Sequence, residues 1–379
     1  MPHVVTAERA VRPAEQAWPA DAACQQKASR LHAACCDNVV AGRHGRGSSL
    51  TYDVEAVHEA GNDGQDANAD GLIDADSVGS PGPAKNCITV GATQNPRPAG
   101  SQPPPVVNLA GNPDAMAAFS SRGPTDDGRI KPDIVAPGTN VLSARSSVAT
   151  EQLWGLLPFS HPLREKYWWS GGTSMSTPLV AGAAALIREF LIKRRGHFVP
   201  GAKPSSALVK AIVVNGAEPI TGGVTGEIPP IPNSVCGFGR VDLHSSLDPL
   251  VFDDDEAHAV GTGQMRIFDC VPQSLTHPLR FTLVWTDAPS TVDQGSLTNR
   301  LYLQVVTPSG QILNGDVQPF PNSVNNVQRI VVAVPENGVY KVRVRGVSVN
   351  IHSPIVASPN RPKQNFALAA NGNTLTFIS

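Results

Sequence analysis

Cysteine, net charge and long apolar runs are all scarce in this chain, and each shortage excludes a class of protein. The six cysteines in 379 residues form neither a metal-binding spacing nor a dense disulfide framework. Thirty basic against 32 acidic residues give a net charge of −2, which predicts no nucleic-acid partner. No apolar run approaches the roughly 18–20 residues of a membrane helix, so we expect no membrane span. We expect buried or incidental thiols at Cys24, Cys35, Cys36, Cys87, Cys236 and Cys270.

The remaining composition is that of a loop-rich globular protein. Hydrophobic residues make up 41% of the chain, enough for a sizeable core, and 34 glycines and 34 prolines punctuate it without forming a repeat. The length allows two domains. The first twenty residues lack the apolar core of a signal peptide.

Residues 171–182 are the most informative stretch. Two glycines precede Thr173 and Ser174, and a run of small helix-forming residues follows Pro178. Glycine permits a tight turn, so we expect a helix that begins at or just after Ser174, with Pro178 in its first turn. The backbone N–H of Ser174 would then lie at the positive end of the helix, where an oxyanion is stabilised. On the physics alone, a Ser/Thr cap of a buried alanine-rich helix explains the pattern equally well.

The string Gly-Thr-Ser-Met-Ser-Thr-Pro over residues 172–178 closely resembles the nucleophile motif of subtilisin-like serine peptidases, the subtilases. The resemblance implies a serine-type endopeptidase that cleaves protein or peptide substrates through an acyl-enzyme on Ser174. It also implies an extracellular location.

Residues 57–64 resemble a second subtilase motif, Ala-Ala-Gly-Asn-x-Gly. The resemblance implies that the amide of Asn62 and the N–H of Ser174 hold the oxyanion, and an amide suits this role because it does not titrate. It further implies that Gly61, Gly172 and Thr173 border the substrate pocket. The alternative is a simple Asn-Asp-Gly turn.

The histidine and aspartate of the catalytic triad are not identified. The only weak match to the family's histidine motif is His44, in a Gly-Arg-His-Gly string. The aspartates that precede it, Asp21 and Asp37, do not match the family's aspartate motif. Residues 52–59 carry too many charges for a buried parallel strand, which predicts that a segment is missing before Val57. A catalytically inactive remnant or truncated gene product is therefore an alternative reading.

Residues 66–77 have the spacing of a Ca²⁺-binding loop. Side-chain oxygens stand at positions one, three, five and nine, glycine at six, and a backbone oxygen is available at seven. Position twelve is Ser77 where a glutamate is expected, and a solvated acidic loop is the alternative. The predicted structural Ca²⁺ ligands are Asp66, Asn68, Asp70, Leu72 and Asp74.

Two further stretches, 119–124 and 131–138, resemble structural motifs of subtilases, which assigns Asp133 to the scaffold and not to the triad. Residues 204–217 have the apolar spacing of a helix. From about residue 250 the apolar period becomes two, as at Tyr340, Val342 and Val344, which predicts short antiparallel strands.

The predicted fold is therefore an incomplete α/β subtilisin-like parallel sheet followed by an all-β sandwich of jelly-roll type. The second part resembles the C-terminal β-domain of one branch of alkaline subtilases. The predicted boundaries are 1–50 without family resemblance, 51–248 for the catalytic part and 250–379 for the sandwich. A non-enzymatic protein that binds through the sandwich is a further alternative.

An incomplete sheet should expose apolar strands. We expect exposure around Ile88, Val90, Ile134 and Val135, and we expect residues 250–379 to fold without the rest of the chain.

Overall fold

The computed structural model describes most of the chain from residue 56 onward. His44, Asp21 and Asp37 lie outside the described residues. The described residues are 56–97, 109–148, 154–194, 204–222, 227–247, 250–272, 274–290, 297–316, 320, 322, 324–353, 361–371 and 375–378.

A parallel sheet organises the first part of the described chain. Its strands are β1 (Val57–Glu59), β2 (Ile88–Thr93) and β3 (Ile134–Pro137), in the order β1-β2-β3. The central strand, β2, is buried along its whole length, as its apolar sequence requires. By contrast, β1 is an edge strand of this sheet with a partly exposed surface, which explains how it carries charged residues.

A small antiparallel sheet lies next in sequence and was not predicted. It is formed by β4 (Val141–Ala144), β5 (Gly155–Leu156) and β6 (Tyr167–Ser170), in the order β4-β6-β5. The last strand, β6, ends at Ser170, directly before the glycine pair of the serine motif.

Three α-helices follow in the described ranges: α1 (Thr173–Arg194), α2 (Ser206–Asn215) and α3 (Leu243–Leu247). Pro178 is the sixth residue of α1, so the prediction that it lies in the first turn was wrong. Proline has no backbone N–H, so the helical hydrogen bond that residue 178 would donate to the carbonyl of Ser174 is absent. Helix α2 begins after Ser205, whose hydroxyl accepts the N–H of Leu208 over 3.0 Å.

Helix α1 exposes one side. Val180, Ala184, Ile187 and Leu191 belong to the core, whereas the opposite side is open. Residues Thr173–Lys193 are long and apolar enough to span a membrane by length and composition alone, a property that core helices share. The absence of a membrane span therefore stays a prediction.

Two antiparallel sheets form the second part of the chain. Their orders are β11-β10-β13-β8-β15 and β12-β9-β14-β7. The strands are β7 (Leu250–Asp253), β8 (Met265–Pro272), β9 (Leu279–Val284), β10 (Asn299–Val306), β11 (Ile312–Asn314), β12 (Val327–Val332), β13 (Tyr340–Val349), β14 (Ala367–Asn371) and β15 (Leu375–Ile378).

The predicted alternation is visible in β13. Tyr340, Val342 and Val344 are buried, and Lys341 and Arg345 are exposed. The buried side chains of both sheets meet in one cluster, to which β9 contributes Leu279, Phe281 and Leu283. The jelly-roll type of this arrangement stays a prediction.

A single hydrophobic cluster crosses the predicted boundary at 248–250. It joins α2 to the four-stranded sheet, on the face opposite the cluster that the two antiparallel sheets share. The sheet residues in it are Val284, Val327, Ala367 and Ala369. On the same face, the hydroxyl of Thr282 donates to Asn215 over 2.9 Å. This packing argues against the expectation that residues 250–379 fold without the rest of the chain.

A buried ion pair also joins the two parts. The Nζ of Lys85 lies 2.9 Å from Oδ2 of Asp287, and the side-chain amide of Asn86 donates to the Asp287 carbonyl over 2.8 Å.

The predicted exposure of the parallel strands was wrong. Ile88, Val90, Ile134 and Val135 are all buried. Three of them lie in the cluster that α1 and α2 complete, and Val135 lies in a smaller cluster with Met116. Large apolar side chains are exposed at other positions, among them the outer side of α1.

Candidate active site

The turn between β6 and α1 presents Ser174 at the protein surface. The N–H of Gly172 donates to the carbonyl of Gly138 over 2.8 Å, and the hydroxyl of Ser176 donates to the carbonyl of Ala136 over 2.8 Å. These acceptors lie at the end of β3, so the parallel sheet fixes the start of α1. Ser174 lies in the first turn, where backbone N–H groups have no acceptor within the helix.

Asn62 lies directly beside this turn. Its Oδ1 accepts the N–H of Thr173 over 2.8 Å and the Thr173 hydroxyl over 3.2 Å, which leaves Nδ2 to face the other way. A Cβ on Gly172 would lie 3.5 Å from both Nδ2 and Oδ1 of Asn62 and 3.7 Å from the backbone nitrogen of Ser174. The Asn62 amide and the Ser174 nitrogen therefore border one small space, which stays open because residue 172 is glycine. Gly172 also has a φ of +150°, in the range that favours glycine.

Residues 119–124, the first of the two stretches that resemble structural motifs of subtilases, hold the turn at Asn62 in place. The N–H of Ser121 donates to the Gly61 carbonyl over 3.0 Å, and its hydroxyl accepts the N–H of Asp63 over 3.1 Å. Gly61 has a φ of +107°, and a Cβ there would lie 2.8 Å from the Ser121 hydroxyl. The structure thus brings Gly61, Asn62, Gly172, Thr173 and Ser174 together, as the sequence predicts.

Glu59 is a site residue that the sequence analysis did not identify. The hydroxyl of Ser174 donates to Oε2 of Glu59, and the hydroxyl of Thr173 lies 3.5 Å from the same oxygen. The available signal was its position, three residues before Asn62 at the end of a strand where apolar residues are usual.

His58 is the histidine nearest in sequence to this site. Successive side chains of a strand point to opposite faces, so His58 and Glu59 diverge. Burial and the positive charge of Lys131 lower the pKa of His58. Within the described part of the chain, Glu59 is the side chain that accepts the hydrogen bond of Ser174.

The predicted calcium loop is a compact acidic turn. The carboxylate of Asp66 accepts the N–H groups of Asp70 and Gly71 over 3.0 and 2.9 Å, and that of Asp74 accepts the N–H of Ala67 over 2.9 Å. Gly71, at position six, has the positive φ that this turn needs.

The donor chemistry of the loop suits Ca²⁺, but position twelve does not supply a ligand. The hydroxyl of Ser77 accepts the N–H of Arg122 over 2.9 Å and so faces the protein body. In the described ranges, no group of three or more His, Cys, Asp or Glu side chains is placed to hold a metal. Calcium binding stays a prediction.

Asp133 is buried in a charged cluster away from Ser174. Its carboxylate lies 2.6 Å from Nζ of Lys131 and 2.9 Å from Nζ of Lys210, and it accepts the N–H of Thr89 over 2.8 Å. Burial would raise the pKa of Asp133, but the two lysines hold it below its usual value. Burial lowers the pKa of Lys210 to about 8, against the opposing effect of Asp133. These contacts tie β2, β3 and α2 together, as expected of a scaffold residue.

Three of the six cysteines lie in the described residues. Cys87, Cys236 and Cys270 are free and buried. Burial raises the pKa of Cys236 to about 11 and that of Cys270 to about 12, so both remain protonated thiols at neutral pH.

A surface serine with a side-chain amide and a free backbone N–H of a helix start beside it is an arrangement used by hydrolases that work through acyl transfer. The sequence model of the Subtilase family matches residues 18–239, more than half of the chain, and the chain therefore belongs to this family. The match begins upstream of the motifs recognised above and includes residues in which no family motif was found.

Curated relatives agree with this assignment. The chain is 38% identical over 153 residues to the serine protease AprX of Bacillus subtilis, covering 38% of this chain and 32% of AprX. It is 27% identical over 308 residues to the serine protease/ABC transporter B family protein tagB of Dictyostelium discoideum, covering 63% of this chain and 16% of tagB. The chain thus spans less than a third of the length of each relative.

Among solved structures, the CspB protease of Clostridium perfringens is 25% identical and covers 46% of this chain and 29% of that protease. The TM-score is 0.31, too low to support a structural argument.

Proposed function

We propose that this chain is a serine-type endopeptidase that cleaves protein or peptide substrates through an acyl-enzyme on Ser174. The observation that carries the proposal is the space bordered by Nδ2 of Asn62 and the backbone nitrogen of Ser174. It lies beside the exposed nucleophile candidate and provides N–H donors where an oxyanion would form. Membership of the Subtilase family supports the same reaction.

In this mechanism the Ser174 oxygen attacks the peptide carbonyl, and the carbonyl oxygen becomes an anion held by the two N–H donors. Collapse of this intermediate breaks the C–N bond and leaves the acyl group on Ser174. Water then attacks the ester, and a second oxyanion forms in the same space. The turns at Gly61 and at Gly172–Thr173 would border the substrate at the scissile bond.

We expect little or no peptidase activity from the chain of 379 residues. The family's histidine and aspartate have no assigned position, and loss of the triad base costs subtilisin about 10⁶-fold in kcat. The measurement is casein hydrolysis by the purified chain and by Ser174→Ala. Robust hydrolysis that Ser174→Ala abolishes would show that the chain contains a working general base.

Covalent labelling tests the nucleophile directly. A fluorophosphonate should modify the chain once, at Ser174, and Ser174→Ala should remain unlabelled. Ser143→Ala, an exposed serine of β4, serves as the matched control and should label normally. Failure of the folded wild-type chain to react would support an inactive remnant, or a protein that acts by binding through its antiparallel sheets.

We also propose that the loop at 66–77 binds Ca²⁺ as a structural ion. Asp66, Asn68, Asp70 and Asp74 would supply side-chain oxygens and Leu72 its carbonyl. The proposal is supported by the ligand spacing and the glycine turn at position six. We further propose that the two antiparallel sheets form a jelly-roll-type sandwich, because their buried faces share one core.

A further inference from the structure

We propose that the outer face of the five-stranded sheet binds an extended acidic peptide segment of a partner protein. The sheet has the order β11-β10-β13-β8-β15, and its inner face belongs to the cluster shared with the four-stranded sheet. Helix α2 packs on the other side of the four-stranded sheet, so the outer face points away from the α/β part. Such binding does not depend on the role of Ser174.

The five strands of this sheet are rich in positive charge. Their sequences contain one acidic residue, Asp269, and five basic residues. The basic residues are Arg266, Arg300, Lys341, Arg343 and Arg345. The chain as a whole carries a net charge of −2, so this excess of positive charge is local. A local excess of one sign indicates a surface that attracts the opposite charge.

Three of the basic side chains, Lys341, Arg343 and Arg345, form a row on the outer face of β13, the central strand. The residues that alternate with them belong to the shared core. Basic groups two residues apart on a strand are separated by about 6.8 Å. Acidic side chains at every second position of an extended peptide repeat at the same distance. A peptide of this pattern laid along β13 would therefore bring each carboxylate to one basic group.

The two arginines of the row carry charges that the described residues do not neutralise. Lys341 pairs with Asp269 over 3.1 Å, whereas no described carboxylate lies within ion-pair distance of Arg343 or Arg345. The Arg345 guanidinium lies 5.0 Å from the ring centroid of Phe320, which restricts its movement. The Nε of Arg343 is shielded from solvent and has no hydrogen-bond partner in the same ranges. A guanidinium binds a carboxylate through two parallel N–H···O bonds, so both arginines can accommodate a carboxylate of a ligand.

The neighbours of the row favour a peptide over a nucleic acid. By strand register, Arg343 lies beside Ile267 and Arg345 beside Met265 on β8. These two apolar side chains are 46% and 44% exposed, and the methylene groups of glutamate can pack against them. Single-stranded nucleic acid binds instead to exposed aromatic rings on which its bases stack. Tyr302, the aromatic residue of β10 beside Arg345, is fully buried.

The test is the binding of a fluorescent peptide to the full chain with Ser174→Ala, which prevents cleavage of the probe. One peptide has glutamate at every second position with serine between, and a second has the same composition with its glutamates consecutive. We expect the alternating peptide to bind more tightly, and salt to weaken its binding. Arg343→Gln/Arg345→Gln should weaken binding by about tenfold or more. The control, Lys193→Gln/Arg361→Gln, removes the same charge from exposed sites elsewhere and should bind like the parent chain.

Melting curves establish that each variant is folded. If the double arginine variant does not fold, Arg345→Gln alone, at an exposed side chain, should still show a smaller loss of binding. Equal affinity of the parent chain and the folded arginine variants would refute the proposal, as would no binding of the alternating peptide up to about 1 mM. Equal binding of both peptides would refute the match to the spacing of β13. Tighter binding of single-stranded DNA through the same arginines would assign the face to nucleic acid instead.

Discussion

In the antiparallel part of the molecule, residues 250–378, buried side chains from two sheets meet in one cluster. In the α/β part, residues 56–247, the three-stranded sheet is covered by helices, but α1 turns one side outward. Leu179, Leu186 and Ile192 on that side are 51%, 50% and 53% exposed. Single apolar side chains are also exposed in the antiparallel part, such as Ile312 and Val334, but the helix that follows the candidate nucleophile leaves a whole apolar side uncovered.

The difference follows from the sequences. In the antiparallel strands, apolar and polar residues alternate, so all apolar side chains of a strand lie on one face. A second sheet packs against that face and closes the core. The α1 sequence has no such alternation; it is apolar on more than one side, so its burial depends on other elements. Helix α2 lies between the parts and buries side chains against both sheets.

The largest expected effect comes from breaking the Asp133 cluster. Asp133→Asn leaves Lys131 and Lys210 buried without their anion, and we expect a loss of about 3–5 kcal/mol in the free energy of unfolding. Urea unfolding at pH 7 measures it. Asp126→Asn, at an exposed site, is the control and should change little.

The pH dependence of this cluster has a definite sign. The pKa of Lys210 is about 8 in the folded chain, below its ordinary value of 10.5. The unfolded chain therefore binds more protons between these values, and the Lys210 contribution makes wild-type stability rise with pH there. The penalty of Asp133→Asn should shrink above pH 8, and an equal or larger penalty at pH 9 would contradict this account.

A matched pair of leucines tests the contrast between the shared helix α2 and the open side of α1. Leu208→Ala should cost about 2–5 kcal/mol because Leu208 is fully buried in the cluster that crosses both parts. Leu186→Ala should cost less than about 1 kcal/mol, since half of that side chain already contacts solvent.

The same unfolding curves show whether the two parts are independent. Because the shared cluster joins them, Leu208→Ala should lower the midpoint of one common transition. Two separate transitions, of which only the first shifts, would show that residues 250–379 fold alone after all.

Asn62→Ala should lower the reaction rate of Ser174 more than it lowers the stability of the fold. Removal of one oxyanion donor typically costs serine peptidases about 10²–10³-fold in rate, so the fluorophosphonate rate should fall in that range. Asn314→Ala, on an exposed edge strand of the antiparallel part, is the control. Equal rates for both variants and wild type would remove Asn62 from the site.

Calcium should have the smallest effect. At a free concentration ten times Kd, binding to the folded chain adds about 1.4 kcal/mol to the free energy of unfolding and raises the Tm. The Asp66→Ala/Asp70→Ala double variant should lose this response, and Asp126→Ala should keep it. Identical Tm values with and without calcium in the wild type would leave only an acidic surface loop.

The sequence predicted the local features that depend on backbone chemistry. The glycine turn and the helix after it follow from residue types at short spacing, whereas the neighbourhood of Asn62 and Ser174 was implied by the resemblance to subtilases. The alternating strands of the second part, such as β13, were predicted for the same reason.

Features that depend on distant contacts were not predictable in this way. The sheet β4-β6-β5 pairs short segments with no strong period, and the shared core at α2 arises only when the two parts pack. Glu59 was missed because its contact with Ser174 spans 115 positions in the chain. The charges of residues 52–59 led to the inference of a missing segment, which stays a prediction; the last three of these residues form β1, an edge strand of the described sheet, where charged side chains can reach solvent.

The central claim is that Ser174 reacts beside an oxyanion space formed with Asn62. A crystal structure of the fluorophosphonate-treated chain tests it most directly. The account predicts phosphorus bonded to Oγ of Ser174, with the phosphoryl oxygen about 2.7–3.1 Å from Nδ2 of Asn62 and from the Ser174 nitrogen. An adduct on another residue, or a phosphoryl oxygen turned to solvent away from Asn62, would contradict it.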